Sequence, residues 1–139
     1  MWVRTLVTRT IIAIAGASAS GKSLFSHTIY NELVNELEPG AIAIIEEDAY
    51  YKDQSHLPME HRTQTNYDHP DAFEHELMLE HLTQLRSGNS VEVPTYDYAQ
   101  HTRSDETRRV AAAKILIVEG ILLLSDKALN KEFDIKVFI

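Results

Sequence analysis

The sequence predicts a three-layer α/β fold, in which a parallel β-sheet lies between helices on both of its faces. Three short apolar runs, residues 11–15, 41–45 and 115–118, have the continuous hydrophobicity of strands buried on both faces. Amphipathic stretches separate these runs. Strands that alternate with helices form parallel sheets, and ligands bind such sheets beyond the carboxyl ends of the strands. The loops that follow the strands are therefore expected to converge on one edge.

The first predicted helix, residues 23–37, follows the first strand. Its apolar residues recur at every fourth position and so share one helical face; they are Phe25, Ile29, Leu33 and Leu37. Pro39 and Gly40 are expected to end the helix, because proline cannot continue it and glycine commonly follows a helix C-terminus. After the second strand, residues 48–70 are polar and rich in His and Tyr, which favours a long functional loop.

A second long helix is predicted to begin at residues 71–74, whose sequence DAFE resembles a capping box. Residues 87–89 are expected to end it. Its core-facing residues would be Phe73, Leu77, Met78, Leu82 and Leu85. The other predicted elements are an inserted antiparallel β-ribbon (91–93 and about 107–110), a short helix (123–133) and a last strand (135–139).

Composition excludes several classes of function. The 139 residues have one domain's length, with the 44% hydrophobic and 24% charged content of a globular protein. Thirteen Lys and Arg against 21 Asp and Glu give a net charge of −8, which argues against general nucleic-acid binding. The absence of Cys excludes disulfides and thiolate metal sites. The apolar runs are too short to span a membrane and no signal-peptide pattern precedes them, so a cytoplasmic location without membrane partners is expected.

The most specific motif is GASASGKS at residues 16–23, which has the G-x-x-x-x-G-K-[ST] pattern between a buried strand and a helix. Glycines in such a loop let successive main-chain N–H groups point into one concavity at a helix N-terminus, where they bind phosphate. The motif predicts a fold of the P-loop NTPase type, a single domain over residues 1–139, with ATP as ligand. The predicted ATP-binding residues are Gly16, Ala17, Ser18, Ala19, Ser20, Gly21, Lys22, Ser23 and Leu24.

The same motif predicts a magnesium site. Lys22 would place a positive charge on the β- and γ-phosphates, and the Ser23 hydroxyl would bind Mg²⁺. Glu119 follows the third buried run, so it is predicted to hold the ion directly or through water. Asp is the more usual residue at that position, and a strand-end carboxylate without a ligand is the alternative.

Three consecutive acids close the second strand: Glu46, Glu47 and Asp48. A carboxylate at this point can face the γ-phosphate across the cleft and accept a proton from an attacking hydroxyl. Position at the strand end favours Asp48 as this base, although Glu46 and Glu47 compete with it on composition. Asp48 and Lys22 are therefore the predicted catalytic residues.

Several motifs together resemble those of the bacterial uridine kinases, a family of P-loop kinases. Besides residues 16–23, they are 47–57 (EDAYYKDQSHL), 65–70 (TNYDHP), 94–98 (PTYDY), 101–103 (HTR) and 119–122 (EGIL). The motifs occur in the family's order and cover nearly every segment from residue 11 to residue 139. The resemblance implies transfer of the ATP γ-phosphate to the 5′-hydroxyl of uridine or cytidine, and a homotetramer.

Residue roles also follow from the resemblance. Asp48 would activate the 5′-hydroxyl, and Asp68 would accept hydrogen bonds from the ribose 2′- and 3′-hydroxyls. Tyr96 and His101 would hydrogen-bond the pyrimidine edge. The base pocket would be walled by Tyr51, Tyr67 and Tyr98. From the residues themselves, His69 before Pro70 is expected to fix its loop, and the histidines expected at the surface are His56, His61, His75 and His81.

Members of that family continue from the last strand into an arginine-rich lid, which this sequence does not contain. Lid arginines stabilise the charge on the transferring phosphoryl group, so weak nucleotide binding and slow turnover are expected of this chain. Three alternatives stay open: a nucleotide-dependent switch module, a protein that only binds nucleotide, and a related kinase of a phosphorylated sugar. The last would need a basic pocket, whereas Asp48, Asp68 and Asp97 make these loops acidic.

Overall fold

A computed structural model describes residues 8–17 and 19–139 of the chain. The strands are β1 (Thr10–Ala15), β2 (Ile42–Glu46), β3 (Val91–Asp97), β4 (Thr102–Val110), β5 (Ile115–Gly120) and β6 (Ile135–Phe138). The helices are α1 (Lys22–Val34), α2 (Met59–Arg62), α3 (His75–Arg86) and α4 (Lys127–Asn130). Four strands form a parallel sheet in the order β2-β5-β1-β6, and β3 pairs with β4 in a separate antiparallel ribbon. The predicted α/β fold with an inserted ribbon is confirmed.

Helices cover both faces of the parallel sheet. Successive side chains of a strand point to opposite faces, so Ile14 and Ala13 of β1 enter different cores. Ile14 packs with Ile117 of β5 against the apolar side of α1. Ala13 packs on the other side, in a core that includes Met78 and Leu82 of α3. Burial on both faces explains why these strands are continuously apolar.

The ribbon is longer than the sequence predicted. Strand β3 continues to Asp97 and β4 begins at Thr102, so the polar and aromatic stretch between the predicted ends is itself paired. The pairing shifts register between Pro94 and Tyr96. Proline donates no ladder hydrogen bond, and such irregularities bend a ribbon. The ribbon thereby packs against the turn that follows β2.

The predicted capping box is wrong. Helix α3 begins at His75, and Glu74 precedes it without a side-chain capping bond. Pro70–Ala72 instead forms a separate 3₁₀ turn, which the His69 side chain caps. Phe73 is extended and forms a bridge with Tyr51, where it is 3% exposed. Burial of the ring among other aromatic residues outweighs its place in a first helical turn.

Two other helices differ from their predicted lengths. Helix α1 ends at Val34, and a turn replaces its predicted last three residues. The predicted helix at 123–133 is a 3₁₀ turn, Leu123–Ser125, followed by α4. Asp126 separates the two because its side chain accepts a hydrogen bond from the Leu129 N–H and starts a new helix. Among the described residues, no helix has the length and apolar character needed to cross a bilayer.

Candidate active site

The glycine-rich loop joins the carboxyl end of β1 to the N-terminus of the 13-residue helix α1. The Gly16 N–H donates to the Gly120 carbonyl at 3.2 Å, which anchors the start of the loop beside the end of β5. Ala19 and Gly21 have positive φ angles, 63° and 90°, and turn the chain into the helix. One predicted ATP-binding residue, Ser18, lies outside the described residues.

The interior of this loop is narrow. A Cβ atom at Gly16 would lie 2.5 Å from the Ile139 carbonyl oxygen and 2.8 Å from Ser20 Oγ, so only glycine fits there. Ser20 Oγ is buried, and no described residue hydrogen-bonds to it. A buried hydroxyl without a partner suits an exogenous oxygen atom. The loop therefore has the donors that a phosphate group requires.

Ser23 and Glu119 meet at the base of the loop. Ser23 Oγ donates to Glu119 Oε2 at 2.8 Å, and Glu119 is 3% exposed. This pair offers oxygen ligands, which Mg²⁺ prefers, and Mg²⁺ bound with nucleotide takes its other ligands from phosphates and water. Among the described residues no cluster of three or more His, Cys, Asp or Glu side chains could hold a metal alone. The donor set thus fits a metal that arrives with nucleotide.

Asp48 lies beside this pair, in the 3₁₀ turn Glu47–Tyr50 that follows β2. Partial dehydration raises the pKa of the Asp48 carboxyl, and the charge of Glu119 raises it further, while Lys22 opposes both effects. Asp48, Lys22 and Glu119 lie at or just beyond the carboxyl ends of β2, β1 and β5, and so share one edge of the sheet. Asp48 is nevertheless an exposed residue, so a ligand can reach it.

The two acids that competed with Asp48 are engaged elsewhere. Glu46 lies 3.2 Å from His27 Nε2. Glu47 is fully buried, and its Oε1 accepts hydrogen bonds from the main-chain N–H groups of Ile121 and Leu122 at 2.9 and 3.0 Å. Burial therefore excludes Glu47, and of the two acids that line the cleft only Asp48 makes no side-chain pair with a neighbouring residue among those described.

Two histidines predicted to be on the surface are not there. His75 is 9% exposed, and its Nε2 lies 2.7 Å from Glu47 Oε2. His81 is half-buried, and its Nδ1 lies 2.8 Å from the Tyr50 hydroxyl. Both belong to α3, whose inner face packs on the turn after β2. Desolvation by that packing lowers the pKa of His81.

The predicted aromatic residues come together in one cluster. The Tyr51 ring centroid lies 4.8 Å from that of Tyr67 and 5.2 Å from that of Tyr96. Tyr98 is the most exposed member of the cluster, at 55%, and partial dehydration raises its pKa to about 12. Phe73, which the sequence analysis assigned to a helix, stacks on Tyr51 at 4.4 Å.

A cleft of about 520 Å³ opens between the end of β2 and the ribbon. Asp48, Tyr96 and Tyr98 line it, together with Arg108, and its size is in the range of small-molecule sites. Asp68 does not line this cleft. Burial raises the pKa of Tyr51, and the charge of Asp68 adds to that effect. A second cavity of about 440 Å³ lies on the outer side of residues 52–72 and contains none of the predicted site residues.

The parallel sheet, the loop at the end of β1 and the Ser23–Glu119 pair define a P-loop protein of the kinase type. Two solved structures share this fold. A possible uridine kinase from Bacillus stearothermophilus has a TM-score of 0.73 at 20% identity, covering 98% of this chain and 72% of that one. A putative fructose transport system kinase from Silicibacter has a TM-score of 0.76 at 22% identity, covering 99% and 68%.

The family model described as Phosphoribulokinase / Uridine kinase matches residues 11–139, and the chain belongs to this family. The uridine kinase of Tolumonas auensis is 59% identical over 129 residues, and that of Vibrio atlanticus is 57% identical. Each match covers 93% of this chain, but the chain spans only 60% and 61% of those relatives. The resemblance to uridine kinases drawn from the motifs is thereby confirmed.

Proposed function

We propose that this chain carries the donor-binding and acceptor-binding residues of a uridine kinase, which transfers the ATP γ-phosphate to the 5′-hydroxyl of uridine or cytidine. One observation carries the proposal: Asp48 lines a cleft with Tyr96 and Tyr98, and it also feels the charge of Glu119, which pairs with Ser23. Donor and acceptor sites that share one catalytic carboxylate are what phosphoryl transfer to an alcohol requires. Relatives named uridine kinase at 54–59% identity support the choice of acceptor.

On the donor side, the main-chain N–H groups of the loop and the Lys22 ammonium hold the ATP phosphates. Ser23 and Glu119 supply oxygen ligands for Mg²⁺. Bound Mg²⁺ would neutralise charge on the phosphate oxygens. Glu119 is 3% exposed, and its carboxylate is held toward Ser23 by the 2.8 Å hydrogen bond.

On the acceptor side, Asp48 takes the proton of the 5′-hydroxyl as its oxygen bonds to the γ-phosphorus and the bond to the β-phosphate oxygen breaks. A raised pKa makes Asp48 a stronger base than an ordinary aspartate. Asp68 accepts from the ribose hydroxyls, and Tyr96 with His101 binds the base edge. Tyr51, Tyr67 and Tyr98 provide the flat walls of the base pocket.

The wider role that this function implies is pyrimidine salvage in the cytoplasm, by an enzyme that assembles as a homotetramer. These assignments rest on the resemblance of the sequence motifs to those of uridine kinases. The net charge of −8 is in keeping with a protein whose phosphate ligands are held locally rather than by a basic surface.

Calorimetric titration of the chain tests the proposal, with uridine, 2′-deoxyuridine, adenosine and ribulose phosphate as ligands. We expect uridine to bind, 2′-deoxyuridine to bind at least tenfold more weakly, and adenosine not to bind, because an unpaired buried acceptor is costly. Phosphotransfer measured under single turnover should be lost in Asp48→Asn, with Asp105→Asn as the control. Nucleotide binding without any acceptor binding would refute the kinase assignment in favour of a switch or binding module.

A kinase of a phosphorylated sugar is the second candidate, favoured by one observation. Arg108 lines the cleft beside Tyr96, and its Nη2 donates to the Ile44 carbonyl at 3.1 Å. An arginine there offers remaining donors to an anionic acceptor. Glu46 and Asp48 line the same cleft and oppose an anion. Binding of ribulose phosphate tighter than uridine in the titration would select this candidate.

A further inference from the structure

Gln54 lies directly behind the aromatic cluster and is fixed from several directions. Its main-chain N–H donates to Thr102 Oγ1 at 2.6 Å, and that hydroxyl donates in turn to Asp53 Oδ1 at 2.9 Å. Its side-chain Oε1 lies 2.9 Å from Thr65 Oγ1. Its Nε2 reaches the ribbon, 3.0 Å from the His101 carbonyl oxygen and 3.4 Å from the Tyr96 hydroxyl. The side chain therefore has a single defined position.

The orientation of this amide follows from its partners. A main-chain carbonyl can only accept, so the atom of Gln54 that faces the His101 carbonyl must be the NH₂ group. His101 holds its carbonyl there with a φ of 50°, a conformation uncommon for a residue other than glycine. The second hydrogen of the same NH₂ group points at Tyr96. The Tyr96 oxygen is consequently an acceptor toward Gln54.

A continuous row of hydrogen bonds leads from Tyr96 to the imidazole of His101. The Tyr96 and Tyr67 hydroxyl oxygens lie 2.8 Å apart, and the Tyr67 oxygen lies 3.0 Å from His101 Nδ1. Each hydroxyl has one hydrogen. A phenol oxygen can accept two hydrogen bonds, so the Tyr67–Tyr96 bond has two possible directions. In the direction in which Tyr96 accepts only from Gln54, Tyr96 donates to Tyr67 and Tyr67 donates to Nδ1. Nδ1 must then be unprotonated, so the proton of the neutral ring is on Nε2.

We propose that Gln54 is a positioning residue that sets the direction of this row, so that His101 presents an Nε2–H donor to the acceptor base. The inference rests on the proposed function, since it deepens the recognition of the base by Tyr96 and His101. Uracil has a donor at position 3 (N3–H) and an acceptor at position 4 (O4). Cytosine has the reverse, an acceptor at N3 and a donor amino group at position 4. The direction of the row therefore determines which edge the pocket favours.

The carboxyl variant Gln54→Glu should reverse the row. The protonated carboxyl group suits this site, because its O–H donates to the His101 carbonyl while the same oxygen accepts a hydrogen bond from Tyr96. Tyr96 then donates to Glu, Tyr67 donates to Tyr96, and His101 must donate from Nδ1–H to Tyr67. Reversal thus converts Nε2 from a donor into an acceptor without changing any side chain that would touch the nucleoside.

The direct test is the tautomer of His101, measured by long-range ¹H–¹⁵N NMR on the ligand-free chain at a pH where the ring is neutral. We expect the Nε2–H tautomer in the unmodified chain and the Nδ1–H tautomer in Gln54→Glu. In the Tyr67→Phe background, which breaks the row, Gln54→Glu should have no effect on the ring. An Nδ1–H tautomer in the unmodified chain, or no change in Gln54→Glu, overturns the proposal.

Nucleoside binding provides the second readout. Gln54→Glu should change the ratio of uridine to cytidine affinity by at least about tenfold, because one base gains and the other loses a buried hydrogen bond. Gln64→Glu, an exposed change of the same charge, should leave the ratio unaltered. A tautomer switch with an unaltered ratio would overturn the specificity role. If neither nucleoside binds the unmodified chain, the proposed function fails, and the tautomer result still stands by itself.

Discussion

Glu47 and His75 form a buried pair that connects the turn after β2 to helix α3. His75 Nε2 lies 2.7 Å from Glu47 Oε2. The other carboxylate oxygen accepts the main-chain N–H groups of Ile121 and Leu122, just beyond β5. Glu47 therefore links the two strand ends that carry Asp48 and Glu119. The relative position of the proposed base and the proposed metal ligand depends on a residue that touches neither ligand.

Removal of the Glu47 carboxylate should destabilise the fold. Glu47→Ala leaves two main-chain N–H groups and His75 without their partner, at a cost of about 3–5 kcal/mol in the free energy of unfolding. Glu47→Gln retains an acceptor and should cost about 1–2 kcal/mol. Urea denaturation measures both, with the exposed Glu36→Gln as the control. Equal stability of Glu47→Ala and Glu36→Gln would contradict the structural role assigned to the pair.

Gly120 should be intolerant of any side chain. A Cβ atom there would lie 2.5 Å from both the Cβ and the Oε1 of Glu47, which is fully buried and cannot move away. We expect Gly120→Ala to cost about 3 kcal/mol in unfolding free energy. Gly40→Ala is the matched control, since its Cβ meets open space and only its φ of +79° is strained, at about 1–2 kcal/mol. A smaller loss at Gly120 than at Gly40 would be inconsistent with this packing.

The Ser23–Glu119 pair should act only through magnesium. Ser23→Ala and Glu119→Gln are expected to weaken binding of ATP by roughly tenfold when Mg²⁺ is present. Without Mg²⁺, Glu119→Gln should bind ATP no more weakly than the unmodified chain, because it removes a negative charge near the phosphates. Calorimetry in both conditions measures this, with the exposed Ser90→Ala as a control. An equal loss with and without Mg²⁺ would exclude the pair as metal ligands.

Asp48 should make the folded chain less stable as the pH rises. Its pKa is higher in the folded state than in the unfolded state, so the folded state binds more protons between these two values. Stability from this group is therefore greatest at low pH and is lost as the pH rises through the raised pKa. Asp48→Asn removes the effect, so we expect its melting temperature to exceed that of the unmodified chain at neutral pH.

Thermal unfolding across a range of pH tests this sign. The increase in melting temperature caused by Asp48→Asn should shrink as the pH falls below the ordinary pKa range of an aspartate. There the Asp48 carboxyl is protonated in both the folded and the unfolded state. Asp105→Asn, on the exposed ribbon, controls for the general loss of one negative charge. A gain that grew toward low pH would show that the Asp48 pKa is lowered rather than raised.

The local sequence pattern was sufficient to predict the strands and the position of the phosphate loop. It failed to predict structure where contacts between residues distant in sequence determine it. Residues 11–15 and 115–118 are apolar because the sheet buries both faces, and this pattern is visible in the sequence. The DAFE segment has a capping pattern, yet Phe73 gains more by stacking on Tyr51, some 20 positions earlier. His75 and His81 were predicted at the surface because nothing nearby in sequence identified Glu47 and Tyr50 as their partners.

The sequence by itself determined that a glycine-rich loop follows a buried strand and that acids and tyrosines follow other strands, because strand periodicity and phosphate-loop chemistry are local. Tertiary structure alone decided that Glu47, one of the three acids at the end of β2, is unavailable to a ligand, since its burial depends on β5 and α3. It also decided that Gln54 meets Tyr96 and His101, more than 40 residues away. Hydrogen-bond partners that distant are set by how the ribbon folds over the loop, which no local spacing records.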